Sequence, residues 1–235
     1  FLGMGTSFNA AMVARHWMES LARIPCEFDN SSEFRYRNPV IDENTLVVSI
    51  SQSGETADTL ASMEEAQNKG ALQLTLCNYP GTQTTRVAEH TMLLRAGLEI
   101  GVASSKTFVN SLIALYLLAI DIGTRRGTLE PSRNRELVAE LARLPELLGQ
   151  ALADESRYKA LAQIFGRRAD FLFLGRGINF PLAMEGALKL KELSYIHAEG
   201  YPAAEMKHGP ISLIDDDMPV VALMPRDDLY EKMLS

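Results

Sequence analysis

A loop crowded with hydroxyl groups follows an apolar segment in the first quarter of the chain. The sequence SISQSGET at 49–56 comes directly after the apolar run TLVV at 45–48, and a helical pattern begins near Thr56. The backbone N–H groups and the dipole at a helix N-terminus favour phosphate, and Gly54 allows close approach of a ligand. Since the loop has no lysine and no Walker pattern, it favours a sugar phosphate over a nucleoside triphosphate. The alternative is a plain helix cap made of turn-forming serines.

A second glycine turn stands at the start of the chain, in the sequence GMGTS at 3–7. It lacks the third glycine of a dinucleotide-binding fingerprint. Thr6 and Ser7 could hydrogen-bond a sugar, while a tight turn with a helix cap is the alternative.

Charged residues share one face of a predicted helix in the last third of the chain. Glu185, Lys189 and Glu192 are spaced i, i+4 and i+7. A predicted loop around positions 200–202 then leads to His208 in the sequence KHGP. A carboxylate base that moves a proton between two sugar carbons and a histidine that opens the ring would suit an aldose–ketose isomerisation. The alternative is a solvated face with Glu–Lys pairs.

Composition limits the remaining classes. The chain has 235 residues, 46% hydrophobic residues and a net charge of −7, which suits one large or two small globular domains and disfavours nucleic-acid binding. Its two cysteines lie outside any disulfide or metal-ligand pattern, so we expect a cytoplasmic protein without metal or cofactor. The longest apolar stretch, 112–120, is too short to cross a bilayer and predicts a buried helix.

Apolar segments of two periods alternate along the chain, which predicts an α/β fold with mainly parallel sheets. We predict strands at 1–3, 25–28, 46–50, 72–76 and 91–94, and helices at 10–21, 56–68 and 105–122. The segment 123–168 is helical and charged, and the alternation of strands and helices resumes at 169.

An internal repeat divides this pattern in two. The sequence FLGMGTSFNAAM from Phe1 is similar to FLGRGINFPLAM from Phe173, 172 positions later, and SSEFRYRNP at 31 meets AAEMKHGPI at 203 with the same offset. LVVSIS at 46 meets PVVALM at 219, one residue out of step. We therefore predict a duplicated unit, with domains at 1–125 and 169–235 joined by a helical connector at 126–168. The second copy ends about halfway through the repeated unit, so we expect the chain to be a fragment. The second copy also lacks the serine-rich loop; since a purely structural turn would be kept in both copies, this favours a ligand-binding role for the loop in the first copy.

Several long motifs resemble the paired sugar-isomerase (SIS) domains of the glucosamine-6-phosphate synthases, the isomerizing glutamine–fructose-6-phosphate aminotransferases. These motifs are SQSGETADTL, EIGVASSKTF, SEFRYR and the run from LGRGINF to KHGPISLID. The resemblance implies two three-layer α/β/α units that act on fructose 6-phosphate to give glucosamine 6-phosphate. It also implies an upstream glutaminase domain that supplies ammonia, and a homodimer without nucleic-acid or membrane partners.

The resemblance also implies roles for individual residues. The expected phosphate ligands are Ser51, Gln52, Ser53 and Thr56. Thr6, Val102 and Ser104 are expected to line the sugar, with Ser7 beside them. Glu192 is expected to be the base for the C1–C2 proton shift with Lys189 beside it, and His208 to act in ring opening in the neighbouring subunit.

The chain departs from the family pattern in a few places. SSKTF at 104–108 replaces the commoner STKAF, and Ala204 precedes Glu205 where the family often has GELKHGP. The family's Schiff-base lysine is expected beyond Ser235, so the chain alone is not expected to perform the full reaction. Two alternatives remain: a non-catalytic sugar-phosphate regulator, which could dispense with Glu192 and His208, and another phosphosugar isomerase or deaminase.

Overall fold

A computed structural model describes residues 1–234 of the chain. The chain divides into two compact units, Phe1–Thr128 and Leu129–Ser235. The three-part division at 125 and 168 stays a prediction.

The first unit is built on a five-stranded parallel sheet with the strand order β2-β1-β3-β4-β5. Its strands are β1 Leu2–Gly3, β2 Asp29–Asn30, β3 Leu46–Ser51, β4 Leu72–Cys77 and β5 His90–Leu93. Strands β3 and β4 are buried except at their first residues, as expected for central strands of a sheet covered on both faces. The predicted strands at 46–50, 72–76 and 91–94 are confirmed within a residue or so.

Helices cover both faces of this sheet. They are α1 Thr6–Trp17, which continues as a π-helical turn at Met18–Ala22, α2 Ser31–Phe34, α3 Ala57–Asn68, α4 Gln83–Val87 and α5 Lys106–Arg125. Ile50 belongs to a core cluster with Ala14 of α1 and Leu115 of α5, whereas its near neighbour Val47 belongs to a cluster with Ala66 of α3. Alternate residues of a strand point to opposite faces, which places these helices on opposite sides.

Helix α5 is the long apolar helix predicted around 112–120. Within the described residues it is the one helix long and apolar enough, by length and composition, to cross a membrane. Its Leu115 and Ala119 are fully buried against neighbouring elements, as in the core helix of a globular protein.

The second unit contains a three-stranded parallel sheet with the order β7-β6-β8. Its strands are β6 Asp170–Gly175, β7 His197–Pro202 and β8 Val220–Ala222. Its helices are α6 Pro131–Ala142, α7 Leu144–Leu152, α8 Ser156–Phe165, α9 Asn179–Ser194 and α10 Tyr230–Leu234, with 3-10 segments at Ala203–His208 and Pro210–Leu213.

Strand registers in the two units follow the offsets of the sequence repeat. Gly3 pairs with Asn30, and Gly175 pairs with Pro202, both 172 positions later. Leu2 pairs with Ser49 in the first unit, and Leu174, its equivalent in the second unit, pairs with Ala222. This second pairing is shifted by one residue from the offset of 172, as in the sequence repeat. That the units arose by duplication stays an interpretation of the sequence.

Two local predictions are wrong. The strand expected at 25–28 lies at Asp29–Asn30, because pairing with β1 begins only there. The loop expected at 200–202 is part of β7, which pairs with β6 along its whole length. Gly200 serves close packing instead of a turn, since a Cβ there would lie 2.7 Å from the backbone of Met184 in α9. Pro202 is tolerated because β7 is an edge strand.

Candidate functional site

A cavity of about 200 Å³ lies in the first unit where strands β1 and β3 end. Three helices begin around it: α1, α3 and α5. Its lining carries no ionisable side chain and consists of Met4, Thr6, Ser7, Ile50, Ser51, Gln52, Ser53, Thr56, Thr59, Ser104, Thr107, Phe108 and Ser111. All predicted substrate-binding residues except Val102 therefore surround one cavity.

The serine-rich loop presents hydroxyl groups whose oxygens are already engaged by the backbone. The N–H of Gly54 donates to Ser51 Oγ at 3.0 Å, and the N–H of Glu55 donates to Ser53 Oγ at 3.2 Å. Because each oxygen accepts an N–H, the hydroxyl proton of each serine is directed away from the loop backbone. Such hydroxyl groups are suited to donate to an anion.

Helix α3 begins beside these hydroxyl groups without a capping side chain. Thr56 precedes the helix and makes no side-chain cap hydrogen bond, and its Oγ1 lies 3.5 Å from Ser51 Oγ. The carboxylate of Glu55 instead accepts from the backbone N–H of Gln83 at 3.0 Å and from its amide at 2.6 Å. This pair ties the loop to α4 and leaves the helix start accessible to a ligand.

Gly54 is required by close packing inside the protein. Its predicted role in the close approach of a ligand stays a prediction. Its φ is +67°, and a Cβ at this position would lie 2.2 Å from Thr82 Oγ1 and 2.6 Å from Cys77 Sγ. Gly54 is also absent from the cavity lining. The glycine allows the loop to turn tightly over the end of β4.

The loop that carries Ser104 is held by a single carboxylate. Glu99 accepts hydrogen bonds from Ser104 Oγ at 3.2 Å, from Thr107 Oγ1 at 2.5 Å and from the backbone N–H of Ser105 at 2.8 Å. Burial by itself raises the pKa of Glu99, but the hydrogen bonds from Thr107, Ser105 and Ser104 outweigh it and lower the pKa to about 2. Glu99 is therefore an anion at neutral pH.

Asn78 fixes the other end of the same loop. Its amide donates to the carbonyl oxygen of Gly97 at 2.8 Å and accepts the N–H of Ala96 at 2.8 Å. Val102, between the two anchors, is 92% exposed and lies outside the cavity lining, so its predicted contact with the sugar stays a prediction.

Hydroxyl groups near the starts of two helices, α3 and α5, were missed by the sequence analysis. Thr59 lies three residues after Thr56, and Ser111 lies four residues after Thr107. Spacing of three or four places such residues on one helix face, so counting hydroxyl groups at that spacing from each helix start could have found them.

In the second unit, the charged residues of α9 lie on one face, as their spacing predicted. Lys189 Nζ lies 2.6 Å from Glu192 Oε2 and 3.3 Å from Glu185 Oε1. The side chains of Glu185, Lys189 and Glu192 are only 7%, 22% and 28% exposed, which disfavours the alternative of a solvated face. That Glu192 acts on a sugar bound in the cavity stays a prediction.

His208 ends the 3-10 segment Ala203–His208 and is exposed. Its action in a neighbouring subunit also stays a prediction. Across residues 1–234, no group of three His, Cys, Asp or Glu side chains is placed to hold a metal ion.

Comparison with known proteins identifies the class to which this fold and cavity belong. The model of the SIS domain matches residues 1–121 and 165–235, and the chain belongs to the SIS-domain family.

Individual relatives show which members of the family this chain is similar to in sequence and in fold. The chain is 54% identical to the glutamine–fructose-6-phosphate aminotransferase [isomerizing] of Pseudomonas putida, over 98% of this chain and 38% of that protein. It superposes on the C-terminal domain of glucosamine-fructose-6-phosphate aminotransferase from Francisella tularensis with a TM-score of 0.97 and 41% identity, over 99% of this chain and 66% of that one. A glucosamine-6-phosphate deaminase from Thermotoga maritima shares the fold, with a TM-score of 0.78 and 22% identity, over 100% of this chain and 70% of that one. The chain thus spans 38% of the length of the curated relatives it matches.

Proposed function

We propose that this chain is the sugar-isomerase part of an enzyme that converts fructose 6-phosphate and glutamine-derived ammonia into glucosamine 6-phosphate. The observation that carries the proposal is the uncharged, hydroxyl-lined cavity at the start of three helices. The names of relatives at about half sequence identity support the same activity.

The serine-rich loop is the proposed phosphate site. Ser51, Gln52, Ser53 and Thr56 belong to the cavity lining, and the serine hydroxyl protons are not used by the loop backbone. Hydrogen bonds to a charged acceptor are stronger than those between neutral groups, so several of them can hold a phosphate without a lysine. The helix dipoles add a favourable potential.

Proton transfer is assigned to the second unit. Glu192 is the proposed base for the C1–C2 shift, and its carboxylate lies 2.6 Å from the ammonium of Lys189. His208 is the proposed group for ring opening, acting across the interface of a homodimer. A non-catalytic regulator would not need the partly buried charged face of α9.

The remaining parts of the reaction are assigned elsewhere in a longer protein. We propose that an upstream glutaminase domain supplies ammonia, and that the enzyme is cytoplasmic. Sedimentation of the complete enzyme tests the homodimer, since a monomer at micromolar concentration would contradict it.

Calorimetric titration of the full chain with fructose 6-phosphate tests the binding site. The Ser51→Ala, Ser53→Ala double variant should bind at least about tenfold more weakly than the wild type, because it loses two charge-assisted hydrogen bonds. Ser20→Ala is the matched control, since its exposed hydroxyl lies outside the cavity and should not affect binding. Equal affinity of the double variant and the wild type, or phosphate density away from the start of α3 in a soaked crystal, would contradict the proposal.

A further inference from the structure

The hydroxyl groups of the cavity are of two kinds, which differ in what they can offer a ligand. On the serine-rich loop, Ser51 and Ser53 accept backbone N–H groups, so their protons are not taken up by the loop backbone. At the start of α5 and in the loop before it, Thr107 and Ser104 both donate to Oε2 of Glu99. An ionised carboxylate can only accept, so the protons of these two hydroxyl groups must point to Glu99.

Ser104 and Thr107 therefore direct the lone pairs of their hydroxyl oxygens to the cavity, and not their hydroxyl protons. We propose that Glu99 is a positioning residue that fixes these two hydroxyl groups as hydrogen-bond acceptors for the hydroxyl groups of the bound sugar. The inference rests on the proposed function, because it assumes a sugar phosphate in the cavity. The cavity then has a donor end for phosphate and an acceptor end for the sugar.

Glu99 is held firmly enough to impose this polarity. Its Oε1 accepts the backbone N–H groups of Ser105 at 2.8 Å and Thr107 at 3.4 Å, and also Ser105 Oγ at 3.3 Å. These bonds to the start of α5 prevent the carboxylate from rotating, so Oε2 stays directed at Ser104 and Thr107. Thr107 is 3% exposed, which keeps bulk water from competing for its proton.

The acceptor end also rejects the wrong ligand orientation. A phosphate placed against Ser104 and Thr107 would face oxygen lone pairs with the negative charge of Glu99 behind them. A hexose phosphate is therefore bound with its phosphate at the serine-rich loop. Thr107 adds a second oxygen that disfavours a phosphate at this position. In the commoner family sequence STKAF, alanine stands in its place.

Titration with modified sugars tests the proposed polarity. Calorimetry on the full chain would use fructose 6-phosphate and a series of analogues in which one hydroxyl at a time is replaced by fluorine, which cannot donate. In the wild type, at least one analogue should bind about 3- to 10-fold more weakly than the parent sugar. In Glu99→Gln and in the Ser104→Ala, Thr107→Val double variant, the same analogue should bind within about twofold of the parent, because in the first the hydroxyl protons are free to turn into the cavity and in the second both acceptors are lost. Inorganic phosphate should bind all three proteins equally, since it occupies the donor end.

The outcomes separate the two proposals. If the wild type binds neither fructose 6-phosphate nor inorganic phosphate, the proposed function fails and the polarity argument fails with it. If fructose 6-phosphate binds but no analogue is penalised, or the penalty is unchanged in both variants, the role of Glu99 is wrong while the proposed function stands. Should Glu99→Gln fail to fold by circular dichroism, an unchanged penalty in the Ser104→Ala, Thr107→Val double variant overturns the role by itself.

Discussion

Both units of the chain hold partly buried carboxylates, but they stabilise the negative charge in different ways. In the first unit, Glu99 receives only N–H and O–H groups, and the cavity beside it contains no charged side chain. In the second unit, Glu185 and Glu192 lie on either side of the ammonium of Lys189. Neutral donors fix the direction of hydrogen bonds around a ligand, whereas the ammonium of Lys189 forms ion pairs with two carboxylates at once.

The two helices that follow the first strand of each unit show the same contrast. The positions that lie 172 residues before Glu185, Lys189 and Glu192 are Val13 and Trp17 of α1 and Ser20 of the π-helical turn that follows it. Val13 is 1% exposed, and the ring of Trp17 packs against Tyr116 with centroids 4.8 Å apart. Similar strand registers thus support an apolar face in one unit and a charged face in the other, so the chemistry depends on side chains and not on the fold.

The largest expected effect concerns proton transfer by the second unit. In the complete enzyme to which we assign this chain, Glu192→Gln should lower turnover about 10²- to 10⁴-fold, because the amide cannot accept the proton. Binding of fructose 6-phosphate, measured by calorimetry, should change less than about threefold. Near-normal turnover would mean that the ion-paired face of α9 does not carry the base. The proposed division of roles, with binding in the first unit and proton transfer in the second, would then be wrong.

A smaller effect is expected on stability when the shared cation is removed. Lys189→Met should reduce the free energy of unfolding by about 2 to 4 kcal/mol, because two carboxylates that are at most 28% exposed lose their ion pair with Lys189. The matched control is Lys159→Met in α8, whose pair with Glu155 has the same i, i+4 spacing but is 73% exposed on both sides. That control should cost no more than about 0.5 kcal/mol. Urea unfolding measures both, and equal losses would show that the α9 cluster is an ordinary surface pair.

The smallest effect is the pH dependence of Glu99. Its pKa is about 2 in the folded chain against an ordinary value of 4.5. A lowered pKa contributes stability that is fully present above about pH 4.5 and is lost as the pH falls towards 2. Glu99→Gln should therefore destabilise the chain by about 1 kcal/mol at pH 7, a value reduced for solvent screening of this partly exposed group, and by little near pH 2. A difference between variant and wild type that does not change with pH would contradict a carboxylate held by hydrogen bonds.

Local patterns were enough for the α/β class, for strands β3 and β4, and for the hydroxyl groups of the serine-rich loop and the first glycine turn. Each of these rests on neighbouring residues, in an apolar run or in a turn rich in serine and glycine. Ser104 was found only through the resemblance to the family, and the hydroxyl groups of Thr59, Thr107 and Ser111 were not predicted. The resemblance to the family extended these patterns to residues of both units, and the SIS-domain match confirms the family.

Tertiary structure decided what depends on residues distant in the chain. The pairing of β7 with β6 turned an expected loop into a strand, and contacts with Cys77 and Thr82 explained Gly54. The sequence EIGVASSKTF determined that a glutamate, serines and a threonine are close together, but not the direction in which their hydrogen bonds run. Only the folding of the loop back onto the start of α5 brings Glu99 to Ser104 and Thr107, because the direction of a hydrogen bond depends on which groups meet in space.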